Sequence, residues 1–478
     1  MLLAALFVCF GLCCCAAEKE FAVYPKIVQE RTTTESLVLR LTDKITLNLQ
    51  KSTVLADKLL IVTSSEDGNQ VETVDTSAIE ENLYHDTHHR SSLMVQQRDG
   101  AVQVEGVINS KIRIKPLPQA ERSLNGQILH SIYEVQEIND DIVRMEPRLK
   151  SSYWRDYDDY DYWPNFAPKT TTRKPRANID TFVVEIHIVS DKDHHKHFAT
   201  NEELIAYLAV MANAVNLRYL DMTRPKITFK LVGITRNTDD AFAHVIHNTL
   251  EAVRTLEGLV KYYQQGKIPG NPDAIYLITN RDLSSIENGV LEKGVAGLAY
   301  LGKLCTKLAA AEGEDIAGSY KGVYPMAHEL AHILGAEHDN TPKCPWSAGY
   351  LMSYVDGGTN KYRLSPCSEQ QIRITVQSAS DACLRETSRT NYMNQHKQMP
   401  GRKITEAMYC QRMLQEYGRY KITVQKPQHL AKKCKMNCCF QIGYRIWCQD
   451  VDILEGMKCG QQKTCRRGVC GIHKWTAK

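Results

Sequence analysis

The stretch H-E-L-A-H-I-L-G-A-E-H-D runs from His328 to Asp339. His328 and His332 are four residues apart, so on a helix both imidazoles project from one face toward a common point. Such a pair suits Zn²⁺, whose bonds to imidazole nitrogen are about 2.0–2.1 Å long. Glu329 follows the first histidine and is placed to reach a water at the ion without binding the ion itself. Gly335 can take the left-handed conformation that ends a helix, and the chain then turns back to deliver His338. Three protein ligands leave a fourth position for water, the pattern of a catalytic rather than a structural zinc. The chemistry implied is zinc-assisted hydrolysis of a peptide bond. Glu329 would act as general base toward the attacking water and then pass the proton to the leaving amine. A bare H-E-x-x-H arises by chance on ordinary helices; the added spacing of Gly335, His338 and Asp339 makes coincidence untenable.

The segments around this motif read as an α/β unit. Thr181 to Ser190 (T-F-V-V-E-I-H-I-V-S) is a strong strand, and Ala274 to Thr279 is a buried one. Thr200-Asn201-Glu202-Glu203 is a capping box ahead of an apolar face at Leu204, Leu208, Met211 and Val215. A second helical pattern is expected over residues 239–265. Strands alternating with helices predict a mostly parallel, twisted sheet. Residues 18 to about 150 instead hold short alternating runs, such as Leu37–Leu41 and Ile45–Leu49, and predict a β-rich unit.

With 478 residues, 43% hydrophobic and 24% charged, the chain suits two to four domains and excludes a wholly disordered or collagen-like protein. A net charge of +4 points to no particular partner. Residues 1–17 read as a signal peptide, an apolar run ending in small residues and too short for a membrane span. Of 16 cysteines, four lie in that segment and the other twelve at or after Cys305, which reads as up to six disulfides in a secreted chain. Trp154 to Trp163 (W-R-D-Y-D-D-Y-D-Y-W) and the Thr-, Pro- and Arg-rich stretch after it read as an exposed linker. Arg173-Lys174-Pro175-Arg176 fits a minimal convertase signal, which puts a cleavage after Arg176. The expected boundaries are therefore a signal peptide at 1–17, a propeptide at 18–176, a catalytic domain at 177–390 and a cysteine-rich module at 391–478.

Taken together, these segments resemble the reprolysin (adamalysin) branch of the metzincin zinc metalloproteases. The motif spacing carries the resemblance, with Met352 of G-Y-L-M-S-Y at the clan's Met-turn and V-V-E-I-H-I-V as its first strand. Gly297, Leu298, Ala299 and Tyr300 match the edge strand that pairs with substrate in the family. The tail, with Gly456 to Cys470 (G-M-K-C-G-Q-Q-K-T-C-R-R-G-V-C), resembles the disintegrin-like module of ADAMTS proteins. The overall arrangement looks most like the metalloproteases of tick saliva.

What the resemblance implies is a metzincin fold with one catalytic Zn²⁺, preceded by a β-rich propeptide and followed by a small disulfide-rich module. It implies a secreted enzyme acting on fibrinogen, fibrin or gelatin-like matrix proteins and impairing haemostasis. It further implies disulfides Cys305–Cys383 and Cys344–Cys367, and a structural Ca²⁺ held by Glu185, Asp273, the Cys383 carbonyl and Glu386. The chain departs from the family in two ways. Ala331 replaces the usual Gly within the motif, and residues 18–304 contain no Cys to silence a zinc ion. A carboxylate of Asp156, Asp158, Asp159 or Asp161 is one candidate for that silencing role, against a plain solvated linker.

The competing class is a non-catalytic adhesion or haemostasis-blocking protein, against which the intact Glu329 and three histidines argue. Residues 401–478 carry 16 Lys and Arg against 5 Asp and Glu, so the tail is a candidate for heparan sulfate rather than nucleic acid. Its eight cysteines admit 105 pairings. Two further groups, His85, His88 and His89, and His194, His195 and His197, lack a carboxylate or Cys at structural-zinc spacing and read as solvated loops. His244 and His247 read as the surface of the second helix.

Overall fold

The computed structural model describes residues 20–135, 179–386 and 405–473, with short breaks at 31–35, 66–67, 99, 118–122, 124–125, 288, 354, 415–416, 455 and 467. The signal-like residues, Trp154 to Trp163 with its four aspartates, and Arg173 to Arg176 lie outside the described residues. A seven-stranded sheet holds the centre of the molecule. Its order is Gly297–Ala299, Ala310–Glu314, Ala274–Thr279, Thr181–Ser190, Lys226–Asn237, Leu55–Ser65, Gly68–Asp75. The five inner strands are parallel and each outer strand pairs antiparallel. Parallel strands covered on both faces must be apolar nearly throughout, and Thr181–Ser190 is buried at eight of ten positions.

The last two strands of this sheet come from the N-terminal segment. Leu55–Ser65 pairs in parallel with Lys226–Asn237, so the N-terminal segment is stitched into the same sheet as Thr181–Ser190. The remainder of that segment forms the expected β-rich unit, a nine-stranded antiparallel sheet.

The helix Asn201–Asn216 backs the central sheet. Thr200 accepts from the Glu203 amide at 3.2 Å, so the expected cap forms, while the Glu203 carboxylate reaches back one residue beyond it to the Ala199 amide at 2.8 Å. Leu204, Leu208, Met211 and Val215 are all buried in the main core. The N-terminal unit leans on the same helix. Ser52 donates to the Asn213 side chain at 2.6 Å, and Asn213 donates to Ser92 at 2.9 Å.

Three expectations from the sequence fail here. The helix expected over 239–265 runs only from Ala252 to Gln264. Before it, Val245–Ile246 and Thr249–Glu251 form a hairpin whose two turn residues, His247 and Asn248, have φ of 46° and 66°. Two successive left-handed residues make the tight hairpin turn that matches strand twist, and Asn248 was the overlooked signal. His244 and His247 therefore lie at a hairpin, not on a helix. His194 and His195 are buried rather than solvated, because Asp191 caps a short helix at Lys192–His195 that folds them inward. His88 and His89 are likewise mostly enclosed, against Asp452 of the tail.

The tail is a set of small sheets laced by Cys410–Cys438, Cys434–Cys465, Cys439–Cys448 and Cys459–Cys470. Its small core includes Val38 of the N-terminal unit, so the tail docks on that unit. Among the described residues no helix is long and apolar enough to cross a membrane.

Glu80 links the N-terminal unit to the central sheet and titrates near neutrality. Its carboxylate accepts from the Val54 and Leu55 amides at 3.1 and 2.8 Å, yet burial pushes its pKa up to about 7. A raised folded pKa favours the protonated form, so its stabilisation is complete below about pH 4 and is lost as pH climbs toward 7. Glu80→Gln, which keeps the acceptor without the charge, is expected to remove about 2 kcal/mol of stability loss between pH 5 and pH 8. Denaturant unfolding of wild type and variant at the two pH values checks this; equal losses would refute it.

Candidate active site

The helix Val323–Ile333 crosses the molecule behind the edge strand and carries the first part of the motif. It begins at Gly322, whose amide donates to Asp315 Oδ1 at 2.8 Å. Asp315 is fully buried, and its other oxygen accepts from Tyr207 at 2.6 Å and faces His194 Nε2 at 3.1 Å. Pro325 sits in the first turn, where its missing N–H costs no helix bond. Ala331 is fully buried and fits the helix without strain.

The helix stops at Gly335, whose φ is +96° and where a Cβ would run into the Thr375 side chain. Only glycine meets both conditions cheaply. The reversal brings His338 back to the helix. His338 Nε2 lies 3.0 Å from Nε2 of both His328 and His332. The opposite ring nitrogens are committed elsewhere: His328 Nδ1 donates to the Leu351 carbonyl at 2.8 Å, and His332 Nδ1 to the Ala336 carbonyl at 2.7 Å. With Nδ1 protonated, each neutral ring presents a bare Nε2 lone pair to the centre. Such a gathering of acceptors is stable around a cation. Ligands about 2.05 Å from a tetrahedral ion lie about 3.3 Å apart, close to the spacing here. The donor set thus fits zinc.

The backbone around Leu351 and Met352 supports the site. The Leu351 carbonyl takes His328, and the Met352 carbonyl takes the Asp339 amide at 2.8 Å. Met352 is fully buried in the main core. Asp339 is held by Ser365 at 2.5 Å, while burial pushes its carboxyl up against the hydrogen bonds from Ser365 and Ser368. Two tyrosines that the sequence did not mark also brace the site. Tyr219 donates to the Ala327 carbonyl at 2.6 Å, and Tyr324 to the carbonyls of Leu351 and Ser353 at 3.1 and 3.2 Å. No spacing rule flags such residues, since each acts through contacts distant in the chain.

Glu329 is 3% exposed and lies against the edge strand. A Cβ on Gly297 would stand 2.7 Å from its Cγ and 2.9 Å from its Oε1. Gly297–Ala299 is the last strand of the sheet on this side, so its outer backbone edge has no strand partner among the described residues. Tyr300 follows directly, its amide donating to the Ala310 carbonyl at 3.2 Å. Its neighbour Glu312 is fully buried, and burial, then the charges of Glu251 and Glu329, hold its carboxyl well above the usual range.

Residues 182–388 match the family described as reprolysin (M12B) family zinc metalloprotease. The chain carries a reprolysin-type metzincin domain. This reprolysin-type enzyme is a zinc metalloendopeptidase, and its family uses a catalytic zinc. Venom metalloproteinase antarease-like TtrivMP_A of Tityus trivittatus is 28% identical over 341 residues, which cover 66% of this chain and 82% of that one. Venom metalloproteinase BumaMPs1 of Olivierus martensii is 26% identical over 385 residues, covering 76% of this chain and 92% of its own. A Bombyx mori protein named a disintegrin and metalloproteinase with thrombospondin motifs like is 25% identical over 319 residues, with 60% of this chain and 44% of that protein covered. These relatives come from scorpions and a moth, so they do not show the tick-specific resemblance.

Of the four residues expected to hold calcium, Glu185 and Asp273 lie side by side, the Asp273 amide donating to the Glu185 carbonyl at 2.8 Å. The Glu185 amide donates to Asp273 Oδ2 at 2.9 Å, and burial pushes the Asp273 carboxyl up to about 7, with the Glu185 charge adding to it. Cys383 is bonded to Cys305, and Cys344 to Cys367. Glu386, however, is held by the buried Lys230 ammonium at 3.0 Å.

Gly297→Ala tests the packing of Glu329. The added methyl must displace that carboxylate or the Glu312 carbonyl, 2.9 Å away. Expected is a fall in kcat/KM of at least tenfold with zinc content unchanged, measured on a quenched peptide substrate. Unaltered activity would place Glu329 differently from the geometry described.

Proposed function

We propose that this chain is a secreted zymogen whose enzyme cleaves extracellular proteins, with fibrinogen, fibrin and gelatin-like matrix as the substrate class. His328, His332 and His338 would hold the ion, and Glu329 would act as general base. The observation carrying this reading is the convergence of three Nε2 atoms, two of them, those of His328 and His332, on rings whose Nδ1 is already tied to a backbone carbonyl. Zinc bound there supplies Lewis acidity, polarising the scissile carbonyl and making water a competent nucleophile near neutral pH. The outer edge of Gly297–Ala299 would align the substrate backbone as an added strand, with Leu298 and Tyr300 flanking it. Glu329, pressed against that strand, would take the proton from the attacking water and hand it to the leaving nitrogen. Met352 would floor the ligand shell.

Secretion is supported by the signal-like residues 1–17, six disulfides and the venom origin named for two relatives. Processing after Arg176 would separate a propeptide at 18–176 from the catalytic domain at 177–390 and the tail at 391–478. Because Leu55–Asp75 is part of the catalytic sheet, such a propeptide would stay docked after cleavage rather than diffuse away. A salivary or venom role against host haemostasis is the setting that fits such an enzyme, and the basic tail would add affinity for heparan sulfate that weakens with salt.

The decisive comparison is fibrinogen and gelatin degradation by wild type, by wild type with o-phenanthroline, and by Glu329→Gln. Loss of one general base is expected to lower kcat by about 10²–10⁴-fold while zinc stays bound. Equal inhibition of clotting by active and inactive forms, without cleavage, would favour the binding-protein alternative.

Calcium at Glu185, Asp273, Cys383 and Glu386 is a separate proposal. Two carboxylates crowded in a buried place favour a divalent cation, whereas Lys230 already offers one positive charge to Glu386. EGTA is expected to lower the melting temperature of the purified protein and added Ca²⁺ to restore it. No shift would leave Lys230 as the cation of that corner.

A further inference from the structure

The N-terminal unit and the tail meet at a cluster that the proposed catalysis does not use. The turn after strand Leu83–Asp86 carries His88 and His89, and strand Arg445–Asp452 of the tail ends on Asp452. His88 Nε2 lies 3.5 Å from Asp452 Oδ1, and His89 Nε2 lies 3.1 Å from Asp452 Oδ2. Behind His89 stands Asp86, 3.1 Å from its Nδ1. Asp86 is itself buried and accepts from the backbone amides of Asn48 at 2.7 Å and His88 at 2.8 Å. It is therefore a fixed carboxylate, and His89 Nδ1 must donate to it. His89 Nε2 then faces a second carboxylate at 3.1 Å, so the positive centre between the two carboxylates is either a protonated imidazole or a cation that takes the Nε2 lone pair.

Two features say what that centre is. First, both imidazoles converge on the two oxygens of one carboxylate, and the ligand atoms of His88, His89 and Asp452 all lie within 4.8 Å of one another. Two imidazoles and a carboxylate are a zinc-type donor set, and a histidine buttressed by a carboxylate on its other nitrogen is the usual support of a metal-bound imidazole. Second, a cavity of about 10 Å³ opens beside the cluster, lined by Asp86, Thr87, His88 and Asp452 among others. It has room for about one water, enough for a fourth ligand. Lys435 also approaches Asp452 Oδ1 at 3.3 Å, but its side chain is 42% exposed and free to swing into solvent.

We propose that His88, His89 and Asp452 form a second divalent-metal site, of zinc type, that fastens the N-terminal unit to the tail. Its ligands are 363 residues apart in sequence for the His89–Asp452 pair, so the ion binds only while both units are docked. Zinc here is a clasp rather than a catalyst, and removing the N-terminal unit would dismantle it.

The test is metal content of the full chain carrying Glu329→Gln, so that it does not cut itself, after equilibration with Zn²⁺ and gel filtration. Two zinc ions per chain are expected. Adding Asp452→Asn, or His88→Gln should the first variant fail to fold, is expected to leave one. Replacing His328 and His332 with Ala instead is also expected to leave one, which separates this site from the catalytic one. A parent chain holding one ion that Asp452→Asn and His88→Gln do not change would overturn the proposal and leave a plain ion-paired contact. Two ions retained in both folded variants would overturn it as well, by placing the second ion elsewhere.

Discussion

Three imidazole lone pairs pointed at one spot repel one another unless a cation sits among them, and much of the catalytic half exists to hold them there. The helix Val323–Ile333 fixes two rings, and Gly335 turns the chain so that His338 supplies the third. Backbone carbonyls at Leu351 and Ala336 lock the ring orientations from outside. The Leu351 carbonyl also accepts from Tyr324, and the next carbonyl, that of the buried Met352, accepts from the Asp339 amide. These contacts from outside the ligand set hold the rings in place, which lowers the ordering entropy that opposes binding.

The central sheet sets the other half of the geometry. Five parallel strands buried on both faces form a rigid platform, and the antiparallel strand Gly297–Ala299 at its rim stands beside Glu329. The far rim is closed by a hairpin from the N-terminal segment, which spares Lys226–Asn237 an open edge. The N-terminal segment is thus a structural partner of the catalytic half. The tail rests on that same segment through Val38, the Asn48–Tyr409 contact and the His89–Asp452 pair. Three regions that look separate by composition are mechanically continuous.

Much of the site was legible because its chemistry depends on spacing within one helix and one turn. Histidines at i and i+4, a glycine at the reversal and a third histidine soon after are short-range facts. The fold class was legible for a similar reason, since doubly buried strands such as Thr181–Ser190 must be apolar and capped helices such as Asn201–Asn216 carry local signals. The failures are equally physical. Residues 239–265 have helical periodicity, yet His247 and Asn248 take left-handed conformations and divert the first part into a hairpin. His194 looked solvated in its charged sequence context but is drawn inside by Asp315, 121 residues away.

By itself the sequence determined the ligand motif, the alternation of strands and helices, and the concentration of cysteines toward the end of the chain. Tertiary structure alone decided which eight tail cysteines pair, that Leu55–Asp75 joins the catalytic sheet, that Lys230 reaches Glu386, and that His88 and His89 meet Asp452. The reason is range. Periodicity and motif spacing record forces acting over a few residues. Pairings across hundreds of residues are selected by how whole surfaces fit, and no local pattern encodes that fit.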